Sequence, residues 1–343
     1  MTQEGAPRST RSEPGAAPKA SPATIVVTGA AGFIGSHVVE RLLALGTRVL
    51  GVDNFDDYYP AALKMHNIAP SVGRENFQLD VVDLSEADAV RAYAAKIPRP
   101  DVVIHLAAVA GVRLSVADPA RYVRANLVAT QNVLDAWSRA GTPLVFASSS
   151  SVYGNSSRPP FSEDEPCTVP PSPYAATKRG CELLCTVAHH IHGSPITMLR
   201  LFTVYGPRQR PDLAIRKFST AILRSEALPM FGDGSMARDF THVNDIVRGV
   251  VHAMRETEGF RVVNLGNSSP CTVKALIEKL GQALAIEPRV SAVERPPGEM
   301  DVTFADITKA GQLWGWRPVI TLDDGLREFA GWIRGEEEAG RNP

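Results

Sequence analysis

Tyr174 and Lys178 stand four residues apart in the run Pro173-Tyr174-Ala175-Ala176-Thr177-Lys178, which starts a helix with its proline near the first turn. That spacing puts a phenol and an ammonium on one helix face. A phenol ordinarily titrates near pH ~10 and is a poor base at neutrality, but an adjacent ammonium favours the phenolate. The pair can therefore serve as the base when an alcohol is converted to a ketone. Upstream, Ser148-Ser149-Ser150-Ser151 follows directly on the apolar run Leu144 to Ala147. A serine run is usually a loop, but one set at the end of a buried strand points its hydroxyls into a ligand crevice. There a serine can hydrogen-bond and position the reacting oxygen.

The oxidant is indicated nearer the start of the chain. Thr28 to Gly35 reads TGAAGFIG, after the apolar stretch Ile25-Val26-Val27 and before the helical pattern Val38, Val39, Leu42, Leu43. A strand that runs into a glycine turn and a helix is the context in which this spacing carries meaning. Gly29 lets the chain turn, Gly32 lets the backbone approach a pyrophosphate, and Gly35 lets helix and strand pack closely. The helix N-terminus, with Phe33 and Ile34 in its first turn, then faces the phosphates with free N–H groups and a positive dipole end. Asp53 ends the second apolar run, Arg48 to Val52, at about the 20-residue distance where a carboxylate meets the adenosine ribose. A carboxylate repels a 2′-phosphate and the adjacent Asn54 adds no positive charge, so NAD is favoured over NADP. An oxidised nicotinamide also favours the phenolate, and Lys178 could hold the nicotinamide ribose.

These residues need a scaffold that brings strand ends together. After Asp53, the polar stretch from Asn54 to Arg74 predicts a loop with one short helix. Phe77 to Leu79 predicts a third strand ending at Asp80-Val81, which either turns the chain or holds the adenine. A helix from Glu86 to Ala95 and a buried strand from Val102 to Leu106 follow. Small residues at Leu106-Ala107-Ala108 suit a cofactor crossing the carboxyl edge of a parallel sheet. His105, inside an apolar run, reads as a packed core histidine and not a catalyst. A long helix is expected from Pro119 to Ala140, with apolar positions at Val123, Leu127, Val128, Val133, Leu134 and Trp137. The fifth strand is expected from Leu144 to Ala147. Strands alternating with helices predict an α/β fold of the Rossmann type, a doubly wound parallel sheet covered on both faces.

Composition sets bounds on the rest. The 343 residues suit one large core plus a smaller lobe, and 44% hydrophobic with 21% charged residues are ordinary globular values. A formal net charge of -1 gives no electrostatic reason to expect nucleic acid. The four cysteines, Cys167, Cys181, Cys185 and Cys271, show no metal-ligand spacing and suit a reducing cytoplasm. Residues 1–22 are rich in Ala, Pro, Ser and Gly without an apolar core, and read as a disordered tail. No run approaches the ~18 apolar residues that a membrane span needs.

Taken together, the glycine run, the serine cluster and Tyr174 with Lys178 resemble the extended short-chain dehydrogenase/reductase superfamily, specifically its nucleotide-sugar epimerases and dehydratases, from Thr24 to Trp332. The resemblance implies NAD as cofactor, Ser149 in the catalytic Ser/Thr position, Tyr174 as base and Lys178 as the cofactor-ribose lysine. Ser148 and Asn126 are placed with the cofactor residues, and Arg113, Ser150 and Ser151 with the substrate residues. The segment Leu199 to Pro207 resembles the part that approaches nicotinamide and sugar. Phe231-Gly232-Asp233-Gly234 with Arg238-Asp239-Phe240 resembles the diphosphate-binding part, Arg238 being the phosphate arginine. Arg295 to Glu299 with Ala305-Asp306 resembles the loop closing over nucleotide phosphate and ribose, although Arg295 in a Pro-rich loop also reads as a plain surface cation.

A sharper resemblance is to UDP-glucuronate 4-epimerases. It rests on Asp53-Asn54-Phe55-Asp56-Asp57-Tyr58-Tyr59 with Leu63-Lys64, on Phe202 to Pro207, and on Arg210-Pro211-Asp212 with Lys217-Phe218. Thr203 stands where many relatives carry asparagine, and with the serines it is expected to hold a sugar carboxylate. Pro60 and Arg208-Gln209 depart from that pattern and leave the exact sugar open. The dehydratases, by resemblance, use an Asp-Glu pair where this chain has Ser150-Ser151, and a decarboxylase is expected to show glutamate at 151. Without those acids, the 4-keto sugar is expected to rotate and take hydride back on its other face. The reading is thus C4 epimerisation of a UDP-sugar, UDP-glucuronate to UDP-galacturonate. A UDP-glucose/UDP-galactose-type enzyme is the alternative, and a non-catalytic NAD-binding protein a further one.

The expected organisation is an NAD-binding domain over 23–200 plus 241–268, a substrate lobe over 201–240 plus 269–334, and a flexible tail at 335–343. The helices at about 119–140 and 174–192 resemble those forming a four-helix dimer interface in this family, which implies a homodimer; their apolar stripes also suit ordinary core faces.

Overall fold

The computed structural model describes residues 24–154, 158–294 and 301–342, so the expected tail at 1–22 lies outside the described residues. The apolar runs form β1 (Thr24–Thr28), β2 (Arg48–Asp53), β3 (Phe77–Val81), β4 (Val102–His105), β5 (Leu144–Ser149) and β6 (Ile196–Leu201). They lie in the order β3-β2-β1-β4-β5-β6, with a seventh strand, Phe260–Leu265, beyond β6, and every pair is parallel. The chain reverses its direction of winding between β1 and β4, which opens a crevice at the carboxyl ends of those strands. Ile25, Val26 and Val27 are fully buried, as a strand covered by helices on both faces requires.

Two strands run further than their apolar runs indicated, β3 to Val81 and β5 to Ser149. β5 continues its pairing with β6 through Ser148 opposite Arg200 and Ser149 opposite Leu201, so the first two serines are strand residues. Polar side chains there do not end the ladder, because the backbone bonds are made regardless of side chain.

Around the sheet lie α1 (Phe33–Ala44), α2 (Ala61–Ile68), α3 (Ala87–Lys96) and α4 (Val112–Ala117). The long helix expected over 119–140 is segmented into α5 (Pro119–Tyr122), a π-helical stretch Val123–Val128, α6 (Ala129–Trp137) and a 3-10 turn Ser138–Ala140. The wide turn carries Asn126, whose amide accepts from Val109 N and donates to Val109 O and Thr177 Oγ1. α7 (Pro173–His192) is capped by Ser172 Oγ, which accepts from Ala175 N, and ends at the left-handed Gly193.

Beyond β6 the chain alternates between sheet and lobe through β7 (Thr203–Tyr205), α8 (Ala214–Leu223), β8 (Ala227–Phe231), β9 (Ala237–His242), α9 (Val243–Arg255) and β10, the seventh sheet strand. It finishes with β11 (Pro270–Thr272), α10 (Val273–Leu284), β12 (Arg289–Val293), β13 (Val302–Thr303), α11 (Thr308–Trp314) and α12 (Leu322–Glu338). The lobe core gathers the apolar faces of α8, α10 and α12, among them Ile215, Ile222, Leu280 and Phe329.

Two parts of the expected organisation are corrected. Residues around α11 do not belong to the lobe: Ala310, Trp314 and Trp316 pack into the core of the nucleotide-binding sheet. Trp316 Nε1 donates to Asp245 O, and the Asp245 carboxylate accepts from Val319 N and Ile320 N. Residues 335–342 are not a free tail either. α12 is helical through Glu338, and the buried Asn342 accepts from Arg216 Nε and donates to Thr220 Oγ1. Polar residues with no apolar pattern gave no sign of that tether.

Candidate active site

The carboxyl ends of β1, β2, β4 and β5 open into a cavity of about 760 Å³ that continues to the lobe at Thr203 and Arg210. At one end β1 turns at Gly29, whose φ of +68° favours glycine. A Cβ on Gly29 would lie 2.8 Å from Ala107 N, and one on Gly35 would lie 1.9 Å from Gly29 O. The glycines thus press α1 onto its own turn and the turn onto the β4 end. No side chain caps α1, so its first-turn amides face the cavity with Gly32, Phe33, Ile34 and Gly35 on the wall.

Asp53 closes β2 at the same rim, beside Asn54. Its carboxylate accepts from Ala31 N at 3.0 Å and Phe55 N at 2.8 Å, which leaves lone pairs for ribose hydroxyls. Burial pushes the Asp53 carboxyl up from its ordinary value, opposed by the Phe55 N–H, the Lys64 ammonium and the Ala31 N–H. A glycine cradle, uncapped helix amides and a ribose-competent carboxylate along one groove fit a dinucleotide. Leu106, Ala107 and Ala108 form the floor. That floor is held from behind: Thr28 Oγ1 accepts from Ala107 N and pairs with His105 Nδ1 at 2.7 Å, while His105 Nε2 meets Thr130 Oγ1. His105 is therefore the core histidine expected, and burial holds it near a pKa of about 3.

The residues expected to do chemistry meet in the middle of the cavity. Tyr174, Lys178, Ser149, Ser150 and Ser151 all line it. Tyr174 is packed edge-on by Tyr122. Lys178 Nζ donates to Ala147 O at 2.8 Å and sits over the Phe146 ring. Ser149 Oγ donates to Ser151 Oγ and accepts from Ser151 N, which fixes the start of the next turn. Ser148 lines the cavity as well, yet its hydroxyl is taken by α7, against the expectation that every serine of the run points its hydroxyl into the crevice. Alternation along β5 turns its side chain toward α7, where Ser148 Oγ donates to the buried Glu182 at 2.7 Å.

At the lobe end, Thr203 and Arg210 line the cavity. Arg210 pairs with Asp212 through Nε at 3.0 Å and a terminal nitrogen at 2.9 Å, and lies over the Tyr58 ring. Although burial opposes its charge, Arg210 holds Asp212 below the ordinary carboxylate range.

Other expected site residues lie elsewhere among the described residues. Asp80 and Val81 stop short of the cavity; the next four residues, Val82 to Ser85, line it instead. Asn126 stands behind the wall on Val109 and Thr177. Arg113 lies over the Phe231 ring, Lys217 is exposed, and Phe218 packs against the lobe core. Arg238 donates to Ala237 O, away from the cavity wall. Arg295 and Glu299 fall outside the described residues. Conversely, Tyr58, Arg121 and Arg124 line the cavity without having been singled out as site residues. Arg121 pairs with Asp56 and Asp57, the acids of the loop after β2, a pairing across more than sixty residues that no local pattern signals.

A parallel doubly wound sheet with a glycine cradle, a carboxylate at the end of its second strand and a Tyr–Lys pair beside serine hydroxyls defines a nucleotide-dependent enzyme of the extended short-chain dehydrogenase/reductase type. The chain belongs to the NAD dependent epimerase/dehydratase family, whose model matches residues 25–266. It is 40% identical to a UDP-glucuronate 4-epimerase of Thermodesulfobacterium geofontis over 90% of this chain and 95% of that protein. The crystal structure of the UDP-glucuronic acid 4-epimerase from Bacillus cereus with UDP-glucuronic acid and NAD matches with a TM-score of 0.84 and 38% identity, covering 91% of this chain and 99% of that one. A UDP-glucose 4-epimerase from Thermotoga maritima with UDP-glucose has the same TM-score at 30% identity, over 92% of this chain and 99% of that one.

Proposed function

We propose that this chain is an NAD-dependent UDP-sugar 4-epimerase that interconverts UDP-glucuronate and UDP-galacturonate. The observation that carries the reading is the cavity wall beside Tyr174 and Lys178. It is lined by Ser149, Ser150, Ser151 and Thr203, with no acid at 150 or 151. Neutral hydroxyls can hold a sugar carboxylate without driving elimination or loss of that carboxylate. The likeness to the Thermodesulfobacterium and Bacillus enzymes supports the same substrate.

In this reading Tyr174 takes the proton of the C4 hydroxyl, and Ser149 hydrogen-bonds that oxygen as it becomes a carbonyl. When bound, NAD supplies reversible oxidation at C4 of the sugar. Asp53 holds the adenosine ribose, Gly32 and the α1 amides hold the pyrophosphate, and Lys178 holds the nicotinamide ribose. The 4-keto sugar turns within the cavity while Thr203, Ser150 and Ser151 keep its carboxylate. Tyr174 then returns a proton to O4, now of opposite configuration. Arg210 serves the sugar end. Arg238 is assigned to the diphosphate, Arg295 and Glu299 to the nucleotide, and Arg113, Lys217 and Phe218 to the substrate, by resemblance alone.

The protein is read as a homodimer. Val123 and Val128, with Leu183, Val187 and Ile191 on α7, are exposed apolar residues on the two helical segments the family resemblance singles out. All four cysteines are free, which suits a reducing cytoplasm, and among the described residues no helix is long and apolar enough to cross a membrane.

The test is incubation of the purified protein with UDP-glucuronate or UDP-glucose, followed by separation of the nucleotide sugars. UDP-galacturonate is the expected product. Conversion of UDP-glucose alone moves the assignment to the glucose/galactose type, a UDP-pentose means decarboxylation, and inertness toward both extends the test to other nucleotide sugars, whose failure in turn supports a non-catalytic NAD-binding protein.

A further inference from the structure

Behind the serine edge lies a charged cluster that the chemistry above does not use. Glu182 and Arg200 are both buried, at 0% and 2% exposure, in surroundings that include the apolar Cys181 and Cys185. Arg200 Nε donates to Glu182 Oε1 at 2.9 Å and its terminal nitrogen to Oε2 at 3.0 Å; Arg179 adds a bond at 2.8 Å. The remaining acceptor capacity of Oε1 takes the Ser148 hydroxyl at 2.7 Å. Burial pushes the Glu182 carboxyl up, but the Arg200 bonds and charge outweigh it and hold the group below the ordinary range. Apolar side chains would fill such a place at lower cost, so a buried ion pair here invites a reason other than stability.

Position supplies the reason. Glu182 stands one helical turn beyond Lys178 and two turns beyond Tyr174 on α7. Ser148 and Arg200 face each other in the β5–β6 register, and Glu182 spans both. Lys178 holds Ala147 O and Glu182 holds Ser148 Oγ, so consecutive residues of the β5 tip are fastened to one face of the helix that carries Tyr174. Side chains alternate along a strand, so fixing Ser148 fixes the direction of Ser149. Arg200 is itself braced by the Tyr153 ring, whose hydroxyl donates to Asn264 on β10.

We infer that Glu182 is a positioning residue: acting through Ser148, it sets the Ser149 hydroxyl against Tyr174. This rests on the epimerase reading for its kinetic consequence but not for its geometry. A displacement of about 1 Å in a reacting group can cost ~100-fold in rate. Ser148→Ala, Glu182→Gln and the double variant are therefore compared with the parent in kcat and KM for UDP-glucuronate, in bound NAD and in melting temperature. Each single variant is expected to lose about 10- to 100-fold in kcat with KM changed less than about threefold and NAD retained. The double variant is expected to be no slower than the slower single one, because both break the same connection. A Ser148→Ala protein with parental kcat, or losses that multiply in the double variant, overturns the inference. If Glu182→Gln does not fold, Ser148→Ala decides alone. If the parent turns over no UDP-glucuronate, the functional reading fails separately. The crystal structure of Ser148→Ala then decides: a displaced Ser149 hydroxyl supports the inference and an unmoved one overturns it.

Discussion

Lys178 Nζ donates to the carbonyl of Ala147 at 2.8 Å, one residue before the serine run begins. The bond ties the helix that presents Tyr174 to the strand that presents Ser149, and it leaves the ammonium two donors for a ribose. Tyr174→Phe keeps this tie and removes only the phenolic oxygen. It is expected to retain NAD and lower kcat by at least about 100- to 10,000-fold, the usual range for loss of a general base. Turnover at the parental rate, measured with NAD content, would remove tyrosine from that role.

Gly35 admits no side chain without moving its own turn, since a Cβ there would lie 1.9 Å from Gly29 O. Overpacking commonly costs 1–3 kcal/mol, and a backbone oxygen cannot step aside as a flexible side chain would. Gly35→Ala is expected to destabilise by about 3 kcal/mol and to lose NAD binding. Denaturant unfolding and NAD titration check both, and a normal protein would mean that α1 can shift freely on β1.

Asp53 is the expected discriminator between the two dinucleotides. Charged hydrogen bonds contribute roughly 1.5–3 kcal/mol, so Asp53→Ser is expected to weaken NAD about 10- to 100-fold and to narrow the preference over NADP. Calorimetric titration of both nucleotides tests it; an unchanged NAD/NADP ratio would show that the carboxylate only braces Ala31 and Phe55.

His105 provides a pH signature. Its folded pKa of about 3 lies below the unfolded value of ~6.5, so the unfolded chain takes up the proton first as pH falls. Its contribution to stability is complete above about pH 6.5 and is lost progressively toward pH 3. Between pH 6.5 and 5 that amounts to about 1.6 kcal/mol. His105→Asn cannot titrate, so its stability deficit relative to the parent is expected to shrink by about that much over this interval in denaturant unfolding. A constant deficit would mean the imidazole takes up its proton as readily in the folded chain as in the unfolded one.

The parts of the site legible in the sequence are those written in local spacing. The glycine turn, Asp53 at a strand end and the Tyr174–Lys178 helical pair each occupy one element, and the cavity collects them. Distance along the chain hides the others. Tyr58 meets Arg210 and Asp212 from more than 150 residues away, and Arg121 meets Asp56 and Asp57 through folding alone. Direction hides Ser148, which belongs to the right strand but turns toward Glu182. A two-residue underestimate of β3 put Asp80 and Val81 where Val82 to Ser85 stand, since strand ends carry no marker as strong as the apolar run inside them. The return of Trp314 and Trp316 to the first core was likewise hidden, because aromatic residues near a C-terminus say nothing about which core they fill.

The central claim is that the sugar's own C4 hydrogen is removed and returned within one cavity. Proton NMR of the purified protein with UDP-glucuronate in deuterated buffer tests it most directly, beside a matched sample with UDP-glucose. The account predicts build-up of UDP-galacturonate to an equilibrium mixture with protium retained at C4. Deuterium at C4 of the product, or turnover of UDP-glucose with UDP-glucuronate left untouched, would contradict it.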